Sequence, residues 1–566
     1  MSRLIILCSA LMFAAGAKAQ GNKDTSTNRD LTISGAYKPK LMEAQKIESV
    51  PVIERPAIKP VVFNYKIKSH QVNTEKIVNP IPVAEIGKGE ETIYPTSFVK
   101  LGYGNINTPL GEIYLNNKQS KQYSYGVNYR FLQSNSSLHN SFADFTNHTF
   151  KGYASTYTEI GELGMDINYR NNKYNYYGYD TSNREAEKHL GRVINNLDAR
   201  AYFNSTAISD KKLKHRTQFN YYNFGIDKMK ESQYAISSKL YGSIPNFSDL
   251  KKVLLSGTIG VDYNIFKNDT LQAIKRLFIQ IDPRMEFEYE GMQMTVGFNT
   301  TLFFNGTDSA IPFVNPVIRA SYPIIENVAN LYAGIDGRYH KQSLRSVMLS
   351  NPFVSRFDMI NMYENAKAYI GLNAKLGQTA DASFELNYSD VTNMPLFISI
   401  NNPGNLPTEY DSLNSFTVKY RQVNVLRFTG AFNYSFSEIV RVGFIGNFYD
   451  YSVSGEPEAW QLPNSDARLS MRFNIKDKIY PHFDLMAMGI QKQRSGVNDR
   501  NSLGQVGYSS TSLKAFYDIS AGIDFRFKKK LSAFIQANNL INNRYQRWYN
   551  YPVFGINIVG GITMIF

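Results

Sequence analysis

The chain has 566 residues, of which 19% are charged and 43% hydrophobic, with a formal net charge of +14. A mean hydropathy of −0.34 excludes a polytopic helical membrane protein, in which spans of ~20 apolar residues would dominate. Aromatic residues at 14% exclude disorder along the whole chain, and 39 Tyr with 36 Phe against two Trp suit many β-strands.

Residues 1–19 read as a secretory signal. Arg3 precedes an apolar stretch from Leu4 to Ala15, and Ala17-Lys18-Ala19 forms a small-x-small motif that places the cut between Ala19 and Gln20. The one cysteine, Cys8, lies inside the apolar stretch, and Leu7 stands where a lipoprotein signal needs a small residue. Cleavage therefore leaves no cysteine, so neither a disulfide framework nor a thiol enzyme is expected. It also removes Arg3 and Lys18, which lowers the charge to +12. The remaining basic residues are spread among strand-like segments, and export makes nucleic acid a poor partner.

Residues 20–92 carry Pro39, Pro51, Pro56, Pro60, Pro80 and Pro82 between short apolar pairs. Proline at this density prevents a continuous helix or a central strand, so an extended, partly polyproline segment is expected. It is too short and too broken for a sizeable core.

From residue 93 to the end, strict alternation takes over. Leu163, Met165, Ile167 and Tyr169 alternate with Gly164, Asp166, Asn168 and Arg170; Tyr123, Tyr125, Val127 and Tyr129 alternate with Ser124, Gly126, Asn128 and Arg130. Period two gives each segment one apolar and one polar face. Repeated full charges on the polar face favour a water-filled lumen over a sandwich core, and ~10-residue segments match a tilted bilayer crossing. Tyr174, Tyr176, Tyr177 and Tyr179 suit an interfacial girdle. The expected fold is all-β: a transmembrane antiparallel β-barrel of about 22 strands, with 18 to 24 open, spanning 93–566. An even count follows if both termini are periplasmic in the outer membrane.

The chain ends on a strand in which Gly561, Met564 and Phe566 match the terminal assembly signal of outer-membrane barrels. That signal predicts barrel assembly machinery as a partner, through strand addition at an edge. Before it stand Asn538-Asn539-Leu540, Tyr545, Trp548-Tyr549, Pro552 and Gly555. This ending resembles that of TonB-dependent receptors, with Ile556 where the family has arginine. The resemblance covers about 35 residues closely and implies an outer-membrane barrel, exposed to lipid, that takes part in solute transport in a Gram-negative cell. It also implies that Asp30-Leu31-Thr32-Ile33-Ser34-Gly35 is a TonB box. The family's plug of well over a hundred residues has no room ahead of this barrel. Two other roles therefore stay open: a scaffold whose residues 21–92 dock periplasmic proteins, and a passive porin.

Chemistry is sparse. The seven histidines show no metal-ligand spacing, and no phosphate-cradling glycine loop is present, so neither a cofactor nor an enzyme activity is expected. Glu286, Glu288 and Glu290 form the sharpest polar feature. They read either as an acidic stripe in the lumen or as a solvated face paired to Lys and Arg on neighbouring strands.

Overall fold

The computed structural model describes residues 97–566, apart from 118–119, 121, 136, 139–140, 178–190, 206–212, 245–248, 269–270, 307–309, 401–414, 438 and 499–506. The signal with its cut at Ala19 and Gln20, the proline-rich segment and the motif Asp30–Gly35 lie outside the described residues.

The main sheet has 23 strands. One of them, the three-residue Val354–Arg356, belongs to a loop and runs parallel to the wall strand Phe416–Phe436. The other 22 form a closed antiparallel circuit. Closure is made by the first strand, Ser97–Gly104, which pairs with Thr108–Asn116 on one side and with the last strand, Asn557–Ile565, on the other. The terminal register runs from Phe98↔Ile565 to Gly104↔Val559, so no sheet edge is left unpaired there.

The alternation decides which face points where. Leu163, Met165, Ile167 and Tyr169 are all exposed on the outer wall, as are Ile259, Ile370, Phe428, Ile523 and Ile562 on other strands. Across the wall, Asp166 pairs with Arg200 at 2.7 Å, Asp336 with Arg319 at 2.8 Å, and Asp484 with Arg472 at 3.0 Å. An apolar exterior of this extent around a charged interior is the pattern of a membrane barrel.

The two ends differ. At the end that holds Ser97 and Phe566, turns are short, such as those at 159–160, 290–291 and 529–530. At the other end, the loops 341–361, 489–515 and 539–556 are long. Membrane barrels characteristically carry short turns at one end and long loops at the other.

Two local readings are corrected by the structure. Glu290 is not part of the strand of Glu286 and Glu288, which ends at Tyr289. With φ of 48° it forms a tight turn with Gly291, whose φ is 76°. Both positive values match the twist that a two-residue hairpin needs. Tyr176 and Tyr177 do not form an outward girdle. Tyr176 is 3% exposed, and both rings turn into the barrel mouth, because loops there fold inward and offer an apolar surface.

The outer face yields a direct expectation. Leu163→Arg should destabilise the barrel by about 2–4 kcal/mol if the site lies near the bilayer midplane. Asp166→Asn, on the lumen face, should change stability by less than about 1 kcal/mol, since its partner Arg200 is well exposed. Urea unfolding in lipid vesicles measures both, and equal effects on the two faces would contradict the assigned register.

Candidate functional site: the lumen and its outer mouth

The mouth at the long-loop end is filled by the loop 341–361. Its centre is a short helix, Leu344–Ser350, capped by Ser343, whose hydroxyl accepts from the Ser346 amide while the Ser346 hydroxyl accepts from the Ser343 amide. Leu344, Val347 and Met348 are buried on one side of the helix. After Asn351 the chain turns, and Phe353 and Val354 continue the apolar surface.

That surface meets both sectors of the wall that rise above the lumen. Ile194, Phe224, Ile226 and Phe266 come from one sector, and Phe397, Phe416 and Val418 from strands nearly opposite in the circuit. The last long loop closes the remaining space. Tyr551 stacks on Phe353 with ring centroids 3.6 Å apart, and Trp548 stands edge-on to Phe397 at 5.2 Å and to Phe416 at 5.7 Å. Burial pushes the Tyr551 phenol well above its ordinary value, so the ring stays neutral in this core.

A polar belt fastens the loop to the wall. Arg192, 3% exposed, pairs with Asp227 at 2.7 Å and donates to the carbonyls of Pro352 and Val354 at 2.8 and 2.7 Å. Tyr174 donates to the Pro352 carbonyl at 2.8 Å. Arg345 pairs with Asp198, and Lys341 with Asp262, each at 2.5 Å. Deepest is Glu231, fully buried, which accepts from the Arg345 amide at 3.0 Å, from Asn264 at 2.8 Å and from Arg276 at 3.4 Å. Arg276 in turn donates to the Gln342 carbonyl at 2.8 Å. Charges this deep are tolerated because each finds a counter-charge and several hydrogen bonds.

Below the loop lies a cavity of about 1670 Å³. It reaches from Lys341 and Tyr339 under the loop to Gly291, Glu326 and Asn327 in the turns of the opposite end. Its walls mix signs: Asp282, Arg284, Glu385 and Arg427 all face it. Such a lining suits a polar solute in water rather than an apolar one. Among the described residues, no group of three His, Cys, Asp or Glu could hold a metal ion.

The residues singled out in the sequence are dispersed in the fold. Glu286 and Glu288 line the cavity, and Glu288 is bridged to Lys252 at 2.8 Å. Gly561 packs on the lumen side of the closing seam, while Met564 and Phe566 face outward. The anchoring residues Arg192, Glu231 and Arg276 sit in alternating strands like any other lumen residue and carried no separate signal. The Ser343-x-x-Ser346 spacing was the one local trace of the loop helix.

No family model matches the chain, and no curated protein matches it. Solved structures do. The iron transporter FrpB from Neisseria meningitidis (F3-3 variant) is 9% identical, with a TM-score of 0.63 over 85% of this chain and 82% of that one. The pyoverdine receptor FpvA from Pseudomonas aeruginosa PAO1 is 11% identical, with a TM-score of 0.63 over 84% and 79%. The ferric-catecholate import receptor Fiu from E. coli K12 is 9% identical, with a TM-score of 0.60 over 83% and 82%. The chain thus has the 22-strand barrel fold of the TonB-dependent receptors.

Proposed function

We propose that this protein is an outer-membrane, receptor-type barrel that takes part in carrying a polar solute inward, with the loop 341–361 as its outer gate. The observation that carries this reading is the anchored loop core over a cavity that continues to the terminal end. A passive porin works through a standing channel, whereas here an apolar core fills the mouth. Structural neighbours that import ferric catecholates or transport iron support a transport role over catalysis. In this reading both termini are periplasmic, lipid surrounds the wall, and the TonB-box-like Asp30–Gly35 is pulled by TonB.

The test is conductance in planar bilayers. The wild-type protein should show a low baseline. Neutralising two anchors together, Lys341→Ala with Arg345→Ala, should raise it, because each removes an ion pair that holds the loop. A wild-type conductance already that of an open lumen, unchanged by the double variant, would overturn the gate. A second reading, a scaffold that docks periplasmic proteins through residues 21–92, is favoured by the six prolines spaced between short apolar pairs in that segment. It predicts partners that co-purify from native membranes and vanish when 21–92 is deleted, with conductance unaltered.

A further inference from the structure

In a membrane barrel each wall strand is normally zipped to both neighbours, because hydrocarbon offers no partner to a backbone N–H or C=O. Among the described strands, residues 281–283 and 298–300 share no ladder, and a longer break lies two strands further on. The strand Ile311–Ile325 is zipped on one side to Met292–Asn305, from Ser321↔Gln293 up to Ile311↔Phe303. On the other side it pairs with Ala329–His340 only from Ile325↔Ala329 to Ile318↔Ile335. Above that point, residues 311–317 and 336–340 share no ladder. Instead, 336–340 stay with the next strand, Met362–Leu376, through a bulge between Asp336 and Arg338.

Side chains span the gap in place of the ladder. Asn315 donates to the carbonyls of Glu364 and Asn365, both at 2.9 Å, and Asn299 donates to the Gly337 carbonyl at 2.5 Å. Glycine suits position 337, since a Cβ would lie 2.5 Å from the Glu364 carbonyl oxygen and would also displace the Asn315 amide. Pro312 and Pro316 fall in the unzipped stretch and have no N–H to leave orphaned.

The gap is apolar on both sides. Outside, Val314, Ile318 and Ile335 are exposed. On the inner side, the Phe313 ring lies 5.6 Å from Tyr339 and 5.8 Å from Tyr363, and the row continues from Tyr339 to Phe303 and Phe278 at 6.2 and 6.1 Å. Arg338 within the gap and Lys367 at its foot line the cavity.

We propose that this gap is a lateral passage by which a long-chain acyl carboxylate moves between the lumen and the surrounding lipid. The acyl tail would pass between ring faces and aliphatic side chains without desolvating a charge, while Arg338 and Lys367 receive the carboxylate on the lumen side. Parting the strands here exchanges a few amide side-chain bonds and not a backbone ladder, which lowers the cost of opening. The passage would open from the side of the cavity below the loop gate, and gate and passage can fail separately.

The test uses the full chain in intact cells whose lipopolysaccharide leaflet retards oleate, with radiolabelled oleate as the probe. Cysteines are introduced by Phe313→Cys with Tyr339→Cys, since the mature chain is expected to contain none. They are joined by oxidation or by a short bis-methanethiosulfonate, both reversed by reductant. Oleate uptake should fall on joining to the level of cells lacking the protein, and recover on reduction. Uptake equal in the joined and reduced states, or no wild-type uptake above cells lacking the protein, would overturn the passage. Conductance of the Lys341→Ala, Arg345→Ala variant reports on the loop gate separately. Should the cysteine variant fail to assemble, hydrogen exchange of the wild-type protein decides. Those amides of 311–317 and 336–340 that are not bonded to the strand on the far side should exchange about tenfold faster than the amides of 318–322, and equal protection would refute the gap.

Discussion

Replacing Gly561 with leucine should abolish the closed barrel, seen as loss of the heat-modifiable species from the outer membrane. Gly561 pairs with Gly102 across the seam where the last strand meets the first, and with Phe534 on its other side. A Cβ at 561 would lie 2.0 Å from the Leu101 carbonyl oxygen, 2.7 Å from the Gly102 Cα and 2.7 Å from the Phe534 ring. The Phe534 ring covers this seam on the lumen side, with the Lys100 ammonium 3.8 Å from its centroid. Backbone cannot yield as a flexible side chain can, so the added atoms force the two strands apart. Inside a core such overpacking costs about 1–3 kcal/mol; at the seam it also exposes two sheet edges to hydrocarbon, at several kcal/mol for each unsatisfied group. Gly560→Ala is the matched control. Its Cβ meets only the Phe534 carbonyl oxygen, at an ordinary 3.6 Å, so the barrel should assemble. Wild-type levels of folded Gly561→Leu protein would refute this account of the seam.

Glu231→Ala should release the loop 341–361. Removal of this carboxylate leaves Arg276, 2% exposed, without its counter-charge, and strips the Arg345 amide at the start of the helix of its acceptor. Loss of one partner from a buried pair typically costs about 3–5 kcal/mol. The loop can escape that cost by leaving the mouth, because water then reaches Arg276. The expected readouts are new protease cleavage within 341–361 and a rise in bilayer conductance, with the wall strands still protected. Glu231→Gln keeps an acceptor of the same shape and should show a smaller change in both. Unaltered protection of the loop in Glu231→Ala would mean that the apolar core alone holds it.

Period-two alternation was enough to place the wall. Residues such as Leu163 and Asp166 are assigned to opposite faces by geometry alone, since successive side chains in a strand point apart. The number of strands followed from the same pattern, because each crossing needs its own alternating segment and turn. Glu290 shows where such reading stops. Its spacing from Glu288 continues the stripe, yet a hairpin needs positive φ at that point, and the turn takes the residue.

The sequence by itself determined the class of fold and the alternation of strand faces, because these depend on neighbours a few residues apart. Only the tertiary structure decided the mouth and the gap. Tyr176 and Tyr551 are hundreds of residues apart in the chain and meet in one core, and Glu231 binds a helix that starts more than a hundred residues later. Asn315 likewise reaches the backbone at Glu364 and Asn365. Such contacts arise when a closed barrel brings distant strands around one lumen, where a residue's partner is set by the circuit of the wall and not by its place in the chain.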